Sequence, residues 1–402
     1  MAKIDFAWEL GAGTGHVTTL LPIAAAMRSR GHEVRFLLRE LSAGADLDGA
    51  EKIPREGAPI WSGPPTCATP LNLGEILLNF GYHEPGQCKA LVDAWRERLQ
   101  GSQAVIANVA PAAHLAARTL GIPSFEISQG FHVPPPGMPS APLRHWEPAP
   151  RARLEAADRQ VLRVINTVLA DYAAAPIATI GELFSGRSML LTYPELDIYP
   201  ERGPSDYYGI TDSGEGKAVP DWPAGGSPKL FAYLYSYFNG LDALLAAIAA
   251  LEFPTLAFCR GIDAKLVEKY RGGPIRFSGE PMAVSRLLPQ ADIVVCHGSH
   301  QMTAQALLAS KPVLLLPTQL EQFLIMRRIV RYGAGLGIAP EVPNADFRAA
   351  LTRLRDGADF ASKAREFSDR YAGHDRGAAL DTMVARIEAA LGAGFARGGS
   401  IG

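Results

Sequence analysis

A chain of 402 residues is too long for one ordinary hydrophobic core, so two domains of similar size are expected. Its 48% hydrophobic and 20% charged residues are those of a globular protein, and a net charge of −2 gives no electrostatic reason to expect nucleic acid or an anionic membrane as a partner. The four cysteines (Cys67, Cys88, Cys259, Cys296) are widely spaced with no C-x-x-C pair, which argues against a disulfide framework or a structural zinc. They fit a reducing compartment and are expected to be buried as small apolar residues.

The opening MAKIDFAWELG carries Lys3 and Asp5 and no apolar run, so it does not read as a signal peptide. The longest apolar run, LDALLAAIAALEF, is far short of a membrane span and is interrupted by Asp242. A cytoplasmic location is expected, and no feature of the sequence speaks to an oligomeric state.

In chain order, residues 3–9 (KIDFAWE) are predicted as a short buried strand. The loop GAGTGH follows, then a helix from about Val17 to Arg30, with apolar Val17, Leu20, Leu21, Ala24 and Met27 at helical spacing and Gly31 closing it. EVRFLL (33–38) reads as the second strand, which completes a βαβ unit with a parallel sheet. QAVIAN (103–108) is a strand, APAAHLAARTLG (110–121) a helix and SFEIS (124–128) another strand. A Pro-rich surface loop, FHVPPPGMPSAPLRHWEPAP, leads into a helical region over about 151–184.

Residues 200–228 are dense in Gly, Pro, Ser and Asp and are predicted as a linker. The βα alternation then restarts with KLFAYLY, LDALLAAIAALE and PTLAFC, and continues through ADIVVCHGSH, a helix and PVLLLP to terminal helices. The expected division is a first domain over 1–212, a second over 213–374, and a C-terminal helix in 375–402. That helix either crosses back to brace the first domain or ends the second. Two α/β halves imply a cleft with ligands at the C-terminal ends of the strands.

Two loops carry the chemistry. In GAGTGH, Gly11, Gly13 and Gly15 follow G-x-G-x-G. A dinucleotide-binding turn needs G-x-G-x-x-G with a later acid, but His16 occupies the third glycine's place and Glu40 comes further along than usual. The other reading gives His16 the chemical role. At a helix N-terminus the dipole disfavours imidazolium, so the ring is expected to be neutral and able to accept a proton near pH 7. In the second loop, a buried strand (DIVVC) delivers HGSH into a helix whose N-cap is expected to be Ser299. Free N–H groups at such a helix start suit a diphosphate. PVLLLP then presents TQLEQ, with Glu321 and Gln322 expected at a strand end.

This ordered set resembles the nucleotide-sugar-dependent glycosyltransferases of the GT-B fold that modify natural products and other small molecules. That family shows a histidine after a Gly-rich N-terminal loop, then R-G-H-x-V, H-G-G-x-G-T-x-x-E-A-L, G-x-P-x-x-x-x-P, an acid–Gln pair and G-x-G. This chain supplies GTGH, RGHEV (30–34), HGSHQMTAQAL (297–307), SKPVLLLP (310–317), EQ (321–322) and GAG (333–335). The resemblance implies two Rossmann-like domains facing across a cleft. It also implies an inverting, metal-independent transfer of a hexose from a UDP or dTDP sugar to a small-molecule acceptor, with no cofactor beyond that co-substrate. By the same resemblance His16 is the general base, and His297 with the loop Ser299–Thr303 cradles the diphosphate. Glu321 and Gln322 hold donor-sugar hydroxyls, fixing the ring for in-line displacement.

The pattern breaks in places. The family's aspartate that partners the base falls near Asn108, which can orient an imidazole without offsetting its charge. Glu9 and Glu126 are the alternative acids. Gln301 and Met302 replace the family's glycine and threonine, with Thr303 offering a neighbouring hydroxyl and Gln305 standing where a glutamate holds the ribose. GEPM (279–282) aligns with the base-binding W-x-P-Q and keeps Pro281 alone, which puts Met282 at the base. His300 and Ser236 are further candidates for the phosphates. Gly13, Trp61, Phe80 and Phe131 are placed on the acceptor side, since four of five tryptophans lie in the first 150 residues and suit flat or apolar acceptors. Asp46-x-Asp48 resembles a metal-binding D-x-D but has no supporting residues around it, so no metal is expected. The alternatives are a degenerate relative that binds a nucleotide sugar without turning it over, and an epimerase of the same fold.

Overall fold

The computed structural model describes all residues except 46, 48, 185–186, 212–215, 341, 343–344 and 399–402, and the side chains of 393–398. Asp46, Asp48 and the expected domain boundary at 212/213 lie outside the described residues. The chain divides into two compact units. One comprises Met1–Tyr193, Tyr199–Gly214 and Asp375–Gly402, and the other Pro194–Ile198 and Glu215–His374.

The first unit runs β1 (Lys3–Trp8), α1 (Gly15–Ser29), β2 (Glu33–Leu38), β3 (Arg55–Gly57), α2 (Leu73–Leu78), α3 (Pro85–Arg98), β4 (Ala104–Ala107), α4 (Pro111–Leu120), β5 (Ser124–Ser128), α5 (Arg151–Ala170) and β6 (Ser188–Leu190). Its sheet is parallel, in the order β3-β2-β1-β4-β5-β6. Strands covered on both faces read as continuous apolar runs, which is why IDFAW and AVIA are legible without alternation. Ile4, Phe6 and Trp8 pack with Val34, Phe36 and helix α1 on one face, while Ala7, Val105 and Ala107 meet α3, α4 and α5 on the other. The predicted 151–184 helix ends at Ala170. The chain turns through Ala173 (φ 52) toward Pro176, and Asn166 exchanges two 2.9 Å hydrogen bonds with the Ile177 main chain.

The second unit runs β7 (Leu230–Tyr235), α6 (Leu241–Ala250), β8 (Thr255–Arg260), α7 (Ala264–Lys269), β9 (Ile275–Ser278), α8 (Val284–Leu287), β10 (Ile293–Cys296), α9 (His300–Leu308), β11 (Val313–Leu315), α10 (Leu320–Tyr332), β12 (Gly335–Gly337), α11 (Phe347–Asp356) and α12 (Ala358–Arg370). Its parallel order, β12-β11-β10-β7-β8-β9, repeats the first sheet's connectivity strand for strand. Both sheets therefore have the 3-2-1-4-5-6 order of dinucleotide-binding folds.

Helix α13 (Arg376–Gly398) belongs to the first unit. Its Met383, Val384, Ile387 and Leu391 are buried in the cluster formed by β1 and α1, and Arg30 pairs with Asp381 at 2.7 Å and Glu388 at 2.9 Å.

Within the Gly/Pro-rich 200–228 stretch, Tyr208 N–H donates to Leu190 O at 2.8 Å, and Ala218 exchanges hydrogen bonds with Pro281 O (3.2 Å) and Ala283 N–H (2.8 Å). One expectation needs correction. Cys88, Cys259 and Cys296 are buried, but Cys67 is half-buried, its thiol beside the carboxylate of Glu75 and the guanidinium of Arg153. Among the described residues no helix is long and apolar enough to cross a membrane.

Candidate active site

In the first unit the functional groups gather where β1, β4 and β5 end. Helix α1 starts at Gly15, two residues earlier than predicted, so His16 lies in its first turn. The ring stacks on Trp8 (centroids 4.7 Å apart, planes at 18°), and the Trp8 indole is itself anchored to Leu10 O at 2.6 Å. His16 Nδ1 lies 2.5 Å from Asn108 Oδ1. Asn108 is buried and its Nδ2 donates to Ile127 O, so its oxygen must face the histidine. That fixes the proton on Nδ1 and leaves Nε2 as the basic nitrogen. Burial is the main cause that lowers the His16 pKa to about 4. The Asn108 bond opposes it, His132 and Arg39 add to it electrostatically, and Glu126 acts the other way.

Gly11 lies over the same ring. A Cβ there would come within 2.5 Å of His16 Nε2, and its φ of +90 is left-handed. Gly13 is also left-handed at φ +91 but touches nothing, so backbone conformation alone demands it. Glu9 does not serve as a charged partner. Its Oε2 accepts from Ala112 N–H at 2.9 Å, and burial pushes its carboxyl up to about 8, so it is protonated near neutrality.

Of the acceptor-side aromatics, Trp61 sits against Gly63 and Gly81 and meets His83 edge-on at 5.9 Å. Phe80 packs onto the adjacent core, and Phe131 starts the loop that carries His132, its carbonyl accepting from Tyr199 Oη at 2.9 Å.

In the second unit, β10 delivers His297-Gly298-Ser299 to the start of α9. Gly298 needs its left-handed φ of +83, and a Cβ there would press on Gln322 O at 3.0 Å. Four expected ligand groups are turned into the fold. His297 Nδ1 donates to Leu316 O at 2.7 Å and its Nε2 accepts from Tyr235 N–H at 2.8 Å. Both ring nitrogens are thus bound to main chain, which corrects the expectation that this ring donates to a diphosphate. Thr303 is fully buried and its hydroxyl donates to Ser299 O at 2.8 Å, while Met302 is buried in the core. Met282 is likewise fully buried, so its side chain cannot meet a base. For Met302 and Thr303 the helix period of α9 turns the side chain inward.

Ser299 occupies the N-cap position of α9 and is exposed, but its hydroxyl makes no cap bond to the helix N–H groups. His300 is buried, and burial lowers its pKa to about 4. Gln301, Gln305 and Glu321 are half-buried, and Ser236 is exposed beyond β7, with Gly261 kept small beside its hydroxyl. Glu321 and Gln322 lie in the first turn of α10, past the strand end where they were expected. Gln322 Oε1 accepts from Thr318 N–H (2.8 Å) and Oγ1 (3.1 Å), which leaves its Nε2 as the donating end.

No family model matches the chain. A glycosyltransferase of PGL/p-HBAD biosynthesis from Mycobacterium tuberculosis is 35% identical over 80 residues, which is 20% of this chain and 19% of that protein. The match thus spans about a fifth of that relative. The calicheamicin glycosyltransferase CalG4 superposes with a TM-score of 0.69 at 18% identity, over 98% of each chain. The chain has the GT-B fold. SsfS6, a Streptomyces sp. SF2575 glycosyltransferase solved with thymidine diphosphate, is similar over 96% of this chain and 99% of its own, with a TM-score of 0.61 at 19% identity.

Within this GT-B frame several residues escaped the sequence reading. Trp8 and Gly11 bound the His16 ring, yet one looks like a strand residue and the other like any loop glycine. Tyr235 and the exposed Tyr237 stack on each other (5.2 Å, 16°) at the end of β7, with His297 5.4 Å from Tyr235. Aromatic residues at the C-terminal end of a parallel strand were the available signal.

Proposed function

We propose that this GT-B chain is a glycosyltransferase that moves a hexose from a UDP or dTDP sugar to a small-molecule acceptor, with inversion and without a metal. The observation that carries it is His16. It is neutral, locked as the Nδ1–H tautomer by Asn108 and stacked on Trp8, with Nε2 next to the side-chain-free Gly11. Its Nε2 lone pair is available to take the proton of an acceptor hydroxyl, and because burial lowers the pKa to about 4, the charge the ring then carries is what the site must support. The hydroxyl oxygen then bonds to the anomeric carbon while the bond from that carbon to the diphosphate breaks, and one displacement inverts the centre. The α9 N-terminus, free of a Ser299 side-chain cap, suits the departing diphosphate, and Glu321 and the Gln322 amide suit sugar hydroxyls. The thymidine diphosphate bound by SsfS6 supports a nucleoside diphosphate donor here.

The test is release of nucleoside diphosphate from a panel of UDP and dTDP sugars with phenolic and apolar alcohol acceptors. H16A is expected to lower kcat by roughly 10²–10⁴-fold, the range of general base catalysis, with donor-induced thermal stabilisation retained. Donor stabilisation without turnover of any acceptor in the unsubstituted chain would favour the non-catalytic alternative.

A further inference from the structure

Val109, directly after Asn108, has a φ of 55, an uncommon conformation for a β-branched residue. Three hydrogen bonds hold it there. Its carbonyl accepts from the N–H groups of Glu9 (3.3 Å) and Leu10 (2.9 Å), and its own N–H donates to Glu126 Oε1 at 3.0 Å. Strain of this kind persists where the surroundings over-determine it, and it gathers at functional sites. Glu126 is fully buried on β5 and also accepts from His114 Nε2 at 2.8 Å and His132 Nε2 at 2.6 Å, with the Ser124 hydroxyl 2.9 Å from His114 Nδ1. Burial acts to raise its pKa, but the pull of His132 and His114 prevails and holds it below the ordinary carboxylate value.

We propose that Glu126 is a positioning residue for His16, holding Asn108 against the imidazole through the Val109 turn and supplying from one layer behind the negative charge that the amide lacks. This rests on the glycosyltransferase reading for His16 as the base. When the acceptor proton reaches Nε2, positive charge develops on the ring while Asn108 Oδ1 continues to accept from Nδ1–H. An aspartate at 108 would meet the Ile127 carbonyl where Asn108 Nδ2 now donates, two oxygens in repulsion. A carboxylate one residue further avoids that clash and acts through a low-dielectric interior. The groups acting on His16 are Trp8 from β1, Arg39 after β2, Asn108 after β4, Glu126 on β5 and His132 beyond it, with Glu9 following Trp8 at the end of β1. Arg39 and His132 oppose an imidazolium, Glu126 favours it, and Glu9 is protonated below about 8.

The His16 ring is followed by heteronuclear NMR against pH in the full chain, with no donor present, and kcat and KM are measured alongside. E126Q keeps an acceptor for Val109 N–H but removes the charge. It is expected to lower the His16 titration midpoint and to reduce kcat about tenfold with acceptor KM unchanged. H132Q removes a side chain whose electrostatic effect lowers the His16 pKa, and is expected to raise the midpoint from near 4. Shifts of opposite sign uphold the link, whether or not any sugar is transferred. Absence of turnover in the unsubstituted chain counts against the glycosyltransferase reading alone. Midpoints unchanged in both variants, or moved in the same direction, overturn the proposal. Should E126Q fail to fold, an unchanged midpoint in H132Q overturns it equally.

Discussion

Gly11 and His16 form a pair in which the missing side chain matters as much as the one present. A Cβ at 11 would lie 2.5 Å from Nε2 and 2.9 Å from Cε1, in a backbone already left-handed. G11A is therefore expected to cost about 1–2 kcal/mol of stability through its backbone alone. It should also lower kcat more than tenfold while donor binding survives, as the ring is pushed off Asn108. An active G11A with an unshifted melting temperature would refute this packing. Glu9 gives a second test through pH. Its carboxyl rises from 4.5 to about 8 on folding, so between those values the unfolded chain releases a proton that the fold retains. Stability from this group thus falls as pH rises through that window. E9Q cannot ionise, so its urea midpoint relative to the parent should improve from pH 5 to pH 8; a constant difference would show that Glu9 does not hold its proton. His16 works in the opposite sense, since its fall from 6.5 to about 4 makes stability rise with pH between those values. At this scale the base was legible from GTGH, because a histidine opening a helix after three glycines is an unusual placement. Glu126 stood out only as an alternative acid, and the stacking of Trp8 on the ring was not legible, because a contact defines it and not a local pattern.

At the scale of elements, two helix starts that look alike in sequence behave differently. Asn72 caps α2 by accepting from Glu75 N–H at 3.0 Å, and its Nδ2 donates to buried Asp158 at 2.9 Å. Ser299 stands at the same position of α9 without such a bond. N72A is expected to cost about 1–2 kcal/mol and S299A less than about 0.5 kcal/mol, read from denaturant melts of each variant. Equal losses would mean that Ser299 caps its helix after all. The βα alternation itself was readable because a strand buried on both faces needs an unbroken apolar run and a surface helix needs a 3.6-residue period. Element ends were harder. The stop after Ala170 depends on Asn166 gripping the Ile177 main chain, and a rule based on propensity does not contain that bond.

For the whole molecule, α13 is the telling segment. Four of its apolar side chains are buried with β1 and α1, so ending the chain at His374 would uncover the part of that core which α13 closes over α1. At roughly 1.5–3 kcal/mol for each side chain, the loss is about 6–12 kcal/mol, comparable with the stability of an entire domain. Truncation after His374 is therefore expected to melt the first unit while the second retains its own transition, measured by calorimetry. A first unit that keeps its melting temperature would show the helix to be dispensable.

The sequence by itself determined two parallel α/β halves, the order of their strands along the chain, and the two Gly-marked loops that open helices beside the sheets. These follow from local periodicity and from glycines at left-handed positions, which the chain carries in its own residues. Tertiary structure decided which of the marked side chains are available for chemistry. His297 looks like a ligand in HGSH, yet β7 lies beside β10 and brings Tyr235 N–H, 62 residues away, onto its Nε2. Asn108 reaches His16 across 92 residues because β4 adjoins β1. Hydrogen bonds between neighbouring strands join residues that are remote along the chain, so their partners exist only once the sheet has formed.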